Sequence, residues 1–117
     1  MDDLSPVFER VSSYFALLSE PMRIRILHVV CQQERTVGDI VAEVGGTQAN
    51  VSRHLGHMYR AGALTRRKRG NFTYYAVADQ ALTEICRSVC VHIAGNLDTS
   101  AERKDLMELA NELGAGI

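Results

Sequence analysis

The chain has 117 residues, 46% of them hydrophobic, and its 13 Lys and Arg against 14 Asp and Glu leave a formal net charge of −1, which suits one compact domain over residues 1–117 with a modest core and room to gain stability by pairing. The acidic start, MDDLSPVFER, lacks a signal-type apolar run, and no uncharged stretch approaches the roughly 20 residues of a membrane helix. Three cysteines make an odd count for a disulfide scaffold, so the expectation is a cytoplasmic protein with reduced thiols and no membrane partner.

Ser5 and Pro6 form a cap-and-start pair for a first helix, and Val7, Val11, Tyr14, Phe15 and Leu18 recur at helical spacing to near Leu18. Ser19-Glu20-Pro21 breaks that run, and a second helix follows with Ile24, Leu27, Val30 and Cys31 on one stripe. Thr36 begins a short third helix through Val37, Ile40, Val41 and Val44, which Gly45-Gly46 terminates. Thr47 caps a fourth helix over about 47–62, with Gly62 suited to a left-handed C-cap. The period then becomes alternating. Residues 63–68 and 72–77 predict two strands of a hairpin spanning 63–78, joined at Gly70-Asn71, where positive φ is tolerated. Asp79 caps a fifth helix over about 79–95, with Leu82, Ile85, Cys86, Val89 and Ile93 on one stripe and Gly95-Asn96 at its end. A last amphipathic helix, roughly 100–113, carries Leu106, Leu109 and Leu113. Five to six helices with one β-hairpin make the class mainly α. Their order, short helix, Gly-containing turn, second helix, basic hairpin, is that of a winged helix-turn-helix.

Charge along the chain is uneven. Residues 44–78 hold Arg53, Arg60, Arg66, Arg67, Lys68 and Arg69 and not one Asp or Glu, so the rest of the chain has the other seven cations and all 14 acids. A solvated surface mixes both signs; an acid-free segment of about +6 beside a remainder of about −7 points to a polyanion. A helix followed by a hairpin narrows the polyanion to duplex nucleic acid.

With Val51 at zero on a helical wheel, Leu55, Met58 and Gly62 fall within about 40° of it and face the core. Ala49, Arg53, Gly56 and Arg60 then point outward, with Ser52 and His57 on the flanks and Gln48 at the N-terminal end. Small residues permit close approach to a groove, Gln and Arg can contact base edges bidentately, and the helix N-terminus offers amides to a phosphate. The DNA-contacting set is Thr47, Gln48, Ala49, Asn50, Ser52, Arg53, His54, His57 and Arg60, joined by Arg66, Arg67, Lys68 and Arg69 of the wing. Those four consecutive cations repel one another and call for a partner that neutralises them. Of Tyr74 and Tyr75, one should pack under the hairpin and the other edge the surface. His54 and His57 also stand at a metal-ligand spacing, but no Cys or carboxylate lies beside them on that helix, so phosphate or packing contacts account for them better. No Ser/His/Asp or Cys/His grouping emerges, and Cys86 and Cys90 lack Cys-x-x-Cys spacing, which argues against an enzyme.

Together, SEPMRIRILHVV and VGDIVAEVGGTQANVSRHLGHMYRAGALTRRKRGNFTYYAVAD resemble the ArsR/SmtB family of bacterial metal- and stress-responsive repressors, over roughly residues 17–93. The resemblance implies a homodimer held by the first and fifth helices, bound to a palindromic operator of double-stranded DNA and released by an inducer. It puts Gln48, Ser52 and Arg53 where the family reads DNA, in agreement with the wheel. A winged helix that has abandoned DNA for protein partners is the rival, and acids on the outward face would have favoured it.

The inducer is less legible. In the family's arsenic and cadmium type a Cys-Val-Cys lies in the third helix, but Thr36 and Gly38 stand at those places here. The zinc type uses an Asp-x-His and a later His-x-x-Glu or His-x-x-His; Asp79 and His92 keep two of these ligands, while Ala81 and Gly95 replace the others, short of the four donors zinc takes. Cys86 and Cys90 remain, one turn apart on one face of the fifth helix. An intrahelical disulfide between them is strained, since i, i+4 Cβ atoms lie about 5–6 Å apart against roughly 3.8 Å in a disulfide. A soft metal or metalloid ion, or an oxidised or persulfide state, is the inducer chemistry that fits such a pair; plain packing is the alternative. Cys31, on the second helix's core stripe, is a weaker third thiol, because the second-helix cysteine of related persulfide sensors falls on His28 here.

Overall fold

The computed structural model describes residues 3–97 and 99–115. Six helices and three strands follow in the order α1 (Ser5–Ala16), α2 (Pro21–Val30), β1 (Arg35–Thr36), α3 (Val37–Val44), α4 (Gln48–Arg60), β2 (Leu64–Arg69), β3 (Phe72–Val77), α5 (Gln80–Gly95) and α6 (Ser100–Ala115). The fold is a winged helix-turn-helix, mainly α, as the order of elements predicts.

Capping chemistry explains most of the boundaries. Thr36 Oγ1 accepts from the Asp39 amide at 3.1 Å and Thr47 Oγ1 from the Asn50 amide at 3.1 Å, while Asp79 Oδ1 accepts from the Ala81 amide at 3.0 Å. Each bond satisfies one of the orphan N–H groups of a helix start. At the first helix the expected cap differs. Ser5 is already helical, and it is the Asp3 carboxylate that takes its amide, at 2.9 Å. That helix also stops at Ala16 rather than near Leu18.

The sheet has one strand more than expected. β1 pairs antiparallel with the outer edge of β3, Arg35 opposite Tyr75 and Thr36 opposite Tyr74, giving the order β1-β3-β2. Two residues are too few to show an alternating pattern, and Thr36 also serves as the α3 cap, so its strand role is invisible locally. The hairpin register runs from Leu64 opposite Val77 to Arg69 opposite Phe72. Only Gly70 takes a positive φ at the tip, 64°, the pattern of a type II′ turn with Gly at its first central position.

Ile26 and Leu27 of α2, Ile40 of α3 and Val51, Leu55 and Met58 of α4 are fully enclosed, and Leu64 and Tyr75 close the sheet side. Leu82, Cys86 and Cys90 of α5 with Ala110 and Leu113 of α6 extend this core. Three apolar stripes read from the sequence are only partly inward. In α2 the buried positions are Ile26, Leu27, Val30 and Cys31, with Ile24 half-exposed. On α5, Val89 and Ile93 remain 49% and 41% exposed, while Cys90 and Ala94 are buried in their place. α1 buries no residue at all: Val7, Phe8, Val11 and Phe15 all face solvent. Its link to the body includes Tyr14, whose hydroxyl donates to Asp79 Oδ2 at 2.8 Å. Burial, then that bond to a carboxylate, pushes the Tyr14 phenol up to about 12.

Candidate nucleic-acid interface and thiol groove

Helix α4 presents most of the outward face its wheel predicts, but Gly56 is only half-exposed. Gly62, which the wheel turns toward the core, lies beyond the helix end and is exposed. Gln48, Ala49, Ser52, Arg53, His57 and Arg60 are exposed, and Asn50 is half-exposed. The Thr47 hydroxyl oxygen accepts the cap bond, which leaves its O–H able to donate. Arg53 is steadied along the helix by a 2.8 Å bond from its Nη2 to Asn50 Oδ1. Arg60 folds back over Gly56, where a Cβ would come within 3.0 Å of its Nη1. Part of the space that the small residue leaves is thus filled by the cation.

His54 is a correction. It lies only 60° from Val51 on the wheel, the buried stripe is wider than 40°, and the side chain is 3% exposed. Arg23 Nε donates to its Nδ1 at 3.3 Å, which leaves the proton on Nε2, 3.2 Å from Glu20 Oε2. Burial, then the neighbouring Arg53, holds its pKa below the ordinary value, so the imidazole is neutral at pH 7. It braces α4 against the start of α2 and does not reach outward.

All four wing cations are exposed, and each of three has a partner the sequence does not announce. The Arg66 guanidinium lies 4.0 Å above the Tyr59 ring and that of Arg69 4.6 Å from the Tyr74 ring. Arg67 forms a two-pronged pair with Glu34, Nε to Oε2 at 2.8 Å and Nη2 to Oε1, and Arg69 approaches the same carboxylate at 3.6 Å. The Arg67 hydrogen bonds hold Glu34 below the usual carboxylate range. An acid from outside the acid-free segment therefore sits against the wing. Glu34 and Tyr59 were missed at the sequence level, because nothing local marks either as a neighbour of the hairpin. Tyr75 is buried and Tyr74 half-exposed, as the hairpin reading expects.

Cys86 and Cys90, each 7% exposed, open onto an apolar groove of about 400 Å³ between α1, α2, α5 and α6. Phe15, Leu18, Ile24, Ile85, Val89, Ile93, Leu106 and Leu109 complete its lining. Burial pushes the Cys86 thiol up to about 11, with Cys90 beside it adding to the shift, and burial also raises Cys90. Cys31 is absent from that lining. Its Sγ faces the backbone oxygens of His28 and Glu112, at 3.1 and 3.5 Å, and burial raises it too. His28 meets the Glu112 carboxylate at 2.5 Å across to α6.

The model of the family described as "Bacterial regulatory protein, arsR family" matches residues 20–65, from the start of α2 into β2. The HTH-type transcriptional regulator Rv0081 of Mycobacterium tuberculosis is 33% identical over 81 residues, 68% of this chain and 71% of the relative. The chain belongs to the ArsR family. A crystal structure of M. tuberculosis Rv0081 matches with a TM-score of 0.71 at 30% identity, covering 79% of this chain and 96% of that one. The transcriptional repressor SmtB homolog of Synechocystis is 26% identical over 85 residues, 73% of this chain and 64% of the relative.

As an ArsR-family regulator this chain has its residual zinc-type positions far apart. Asp79 caps the start of α5 and His92 lies in its last turn, about 20 Å away at 1.5 Å per residue. Both Asp79 oxygens already accept bonds, one from the Ala81 amide and one from Tyr14. A zinc site using both residues needs a second copy of the chain. Among the described residues no three His, Cys, Asp or Glu side chains converge as a metal cluster, and no helix is long and apolar enough to cross a membrane.

Proposed function

We propose that residues 1–117 act as one unit, a homodimeric cytoplasmic repressor that binds a palindromic operator and leaves it when an inducer acts at Cys86 and Cys90. The observation that carries the DNA part is the exposure of Gln48, Arg53 and Arg60 on α4 and of all four wing cations, in a segment with no Asp or Glu between residues 44 and 78. Bases are read by Gln48, Ser52 and Arg53, and the wing grips the backbone. Dimerisation through α1 and α5 is supported by the exposed Val7, Phe8, Val11 and Phe15 on one and Val89 and Ile93 on the other, a set of apolar side chains that a second copy would cover.

The thiol part is supported by the position of Cys86 and Cys90, whose groove shares Phe15, Val89 and Ile93 with that same surface. A soft ion or an oxidation there alters how the subunits are spaced, and a shift of a few Å spoils the match of two recognition helices to successive major grooves. Coupling of about 1–3 kcal/mol lowers operator affinity by about 5- to 150-fold.

Footprinting on promoter DNA tests the reading. Two protected half-sites about 10–10.5 bp apart, centre to centre, are expected; a single unrepeated site, or none, overturns it. Cys86→Ser combined with Cys90→Ser should retain the footprint and lose release by arsenite and by sulfur oxidants. A double variant that responds like the parent returns both cysteines to packing and moves the inducer elsewhere.

A further inference from the structure

We infer that the wing holds DNA phosphates with only one of its two faces: Arg66 and Lys68 grip the backbone, while Glu34 keeps Arg67 and Arg69 from doing so. This rests on the DNA-binding reading above and divides its wing into two unequal parts.

Strand alternation separates the cations. Arg66 stands opposite Tyr75 and Lys68 opposite Thr73, so these four side chains share one face; Arg67 opposite Tyr74 and Arg69 opposite Phe72 share the other. The first face, with Tyr59 and Val37, lines a hollow of about 490 Å³ whose lining, among the described residues, holds no acidic side chain. Its Arg66 guanidinium carbon is 4.0 Å from the centre of the Tyr59 ring, which is in the last turn of α4 beside the exposed Arg60. The groups nearest this guanidinium, the Tyr75 and Tyr59 side chains, are neutral, so they order it without cancelling the charge an anion would meet. This face therefore continues the basic surface of the recognition helix.

The second face turns toward the segment between α2 and β1. Glu34 is next to Arg35, which is paired to Tyr75 in the sheet, so its carboxylate is held close to the hairpin. It takes two donors of Arg67 and lies 3.6 Å from Arg69. A guanidinium bound in this two-pronged way has surrendered the same N–H pair a phosphate would use. One carboxylate also halves the charge of that face, which weakens its draw on a polyanion.

Fluorescence anisotropy with the full chain and a labelled duplex of random sequence, across a salt series, separates the faces. Each phosphate contact contributes about 0.9 to the slope of log K against log salt. Arg66→Gln and Lys68→Gln should each flatten the slope by about 0.9, and Arg66→Lys, which keeps the charge, should not. Arg67→Gln should leave slope and affinity nearly unchanged, and Glu34→Gln should steepen the slope by about 0.9 or more and tighten binding at low salt. Equal flattening by Arg67→Gln and Arg66→Gln, or a Glu34→Gln slope equal to the parent's, overturns the division. A parent that shows no salt-dependent binding overturns instead the DNA reading beneath it.

Discussion

Burial of Cys86 sets a measurable limit on how the thiol groove can be reached. Its thiol is pushed up to about 11, so at pH 7.5 about three in 10,000 are thiolate, against roughly one in ten for a free cysteine near 8.5. The thiolate is the nucleophile, and a thiolate of higher pKa is intrinsically more reactive. Iodoacetamide should therefore label Cys86 more slowly than glutathione by on the order of tenfold or more, before any shielding by the groove is counted. Time-resolved intact-mass measurement, with site assignment after digestion, reads the rate directly. Linkage supplies an independent check. The folded pKa lies above the ordinary 9.0, so the stabilisation is complete below about pH 9 and is lost as pH rises toward 11. The full two-unit shift corresponds to about 2–3 kcal/mol. Denaturant unfolding of the parent and of Cys86→Ala at pH 8 and 10.5 should therefore converge at the higher pH; the difference cancels the contribution of Tyr14, which titrates higher still. Labelling at the rate of a free thiol, together with parallel stability curves, would refute the argument. A protected thiol also bears on sensing: a soft ion must displace protons to bind, so its affinity should rise with pH, whereas an oxidant must wait for the groove to open.

Three further outcomes follow from the geometry. Gln48→Ala or Arg53→Ala should cost about 1–3 kcal/mol on the true operator and relax discrimination against mismatched sites, measured by competition binding. Leu55→Ala, at a position with no exposure, should lower unfolding free energy by about 2–5 kcal/mol in denaturant titration; a change below 1 kcal/mol would show that the site is not packed as described. Asp79→Ala should lose about 1 kcal/mol from the α5 cap and a further ~1 kcal/mol from the Tyr14 bond. A double-mutant cycle with Tyr14→Phe should return a coupling energy, and exact additivity would mean the bond contributes nothing.

Local chemistry was sufficient for much of this fold. Caps at Thr36, Thr47 and Asp79, the breaker Pro21, the positive-φ Gly62 and Gly70 and the change of period after residue 62 each act within a few residues. They locate five helices and the hairpin without knowledge of any neighbour. The outward face of α4 was legible for the same reason, since one wheel and the absence of acids describe it.

What the sequence could not settle were choices made between distant residues. His54 went inward because Arg23 and Glu20, more than thirty positions earlier, supply its polar partners in the core. Arg67 and Arg69 lost their independence because β1, too short to recognise, sets Glu34 beside the wing. On α5 an apolar stripe containing Cys86, Val89 and Ile93 reads as one surface, yet α6 covers only part of it. Periodicity reports which side chains avoid water; which of them meet this chain, and which await a partner, is decided by how the helices are placed in space.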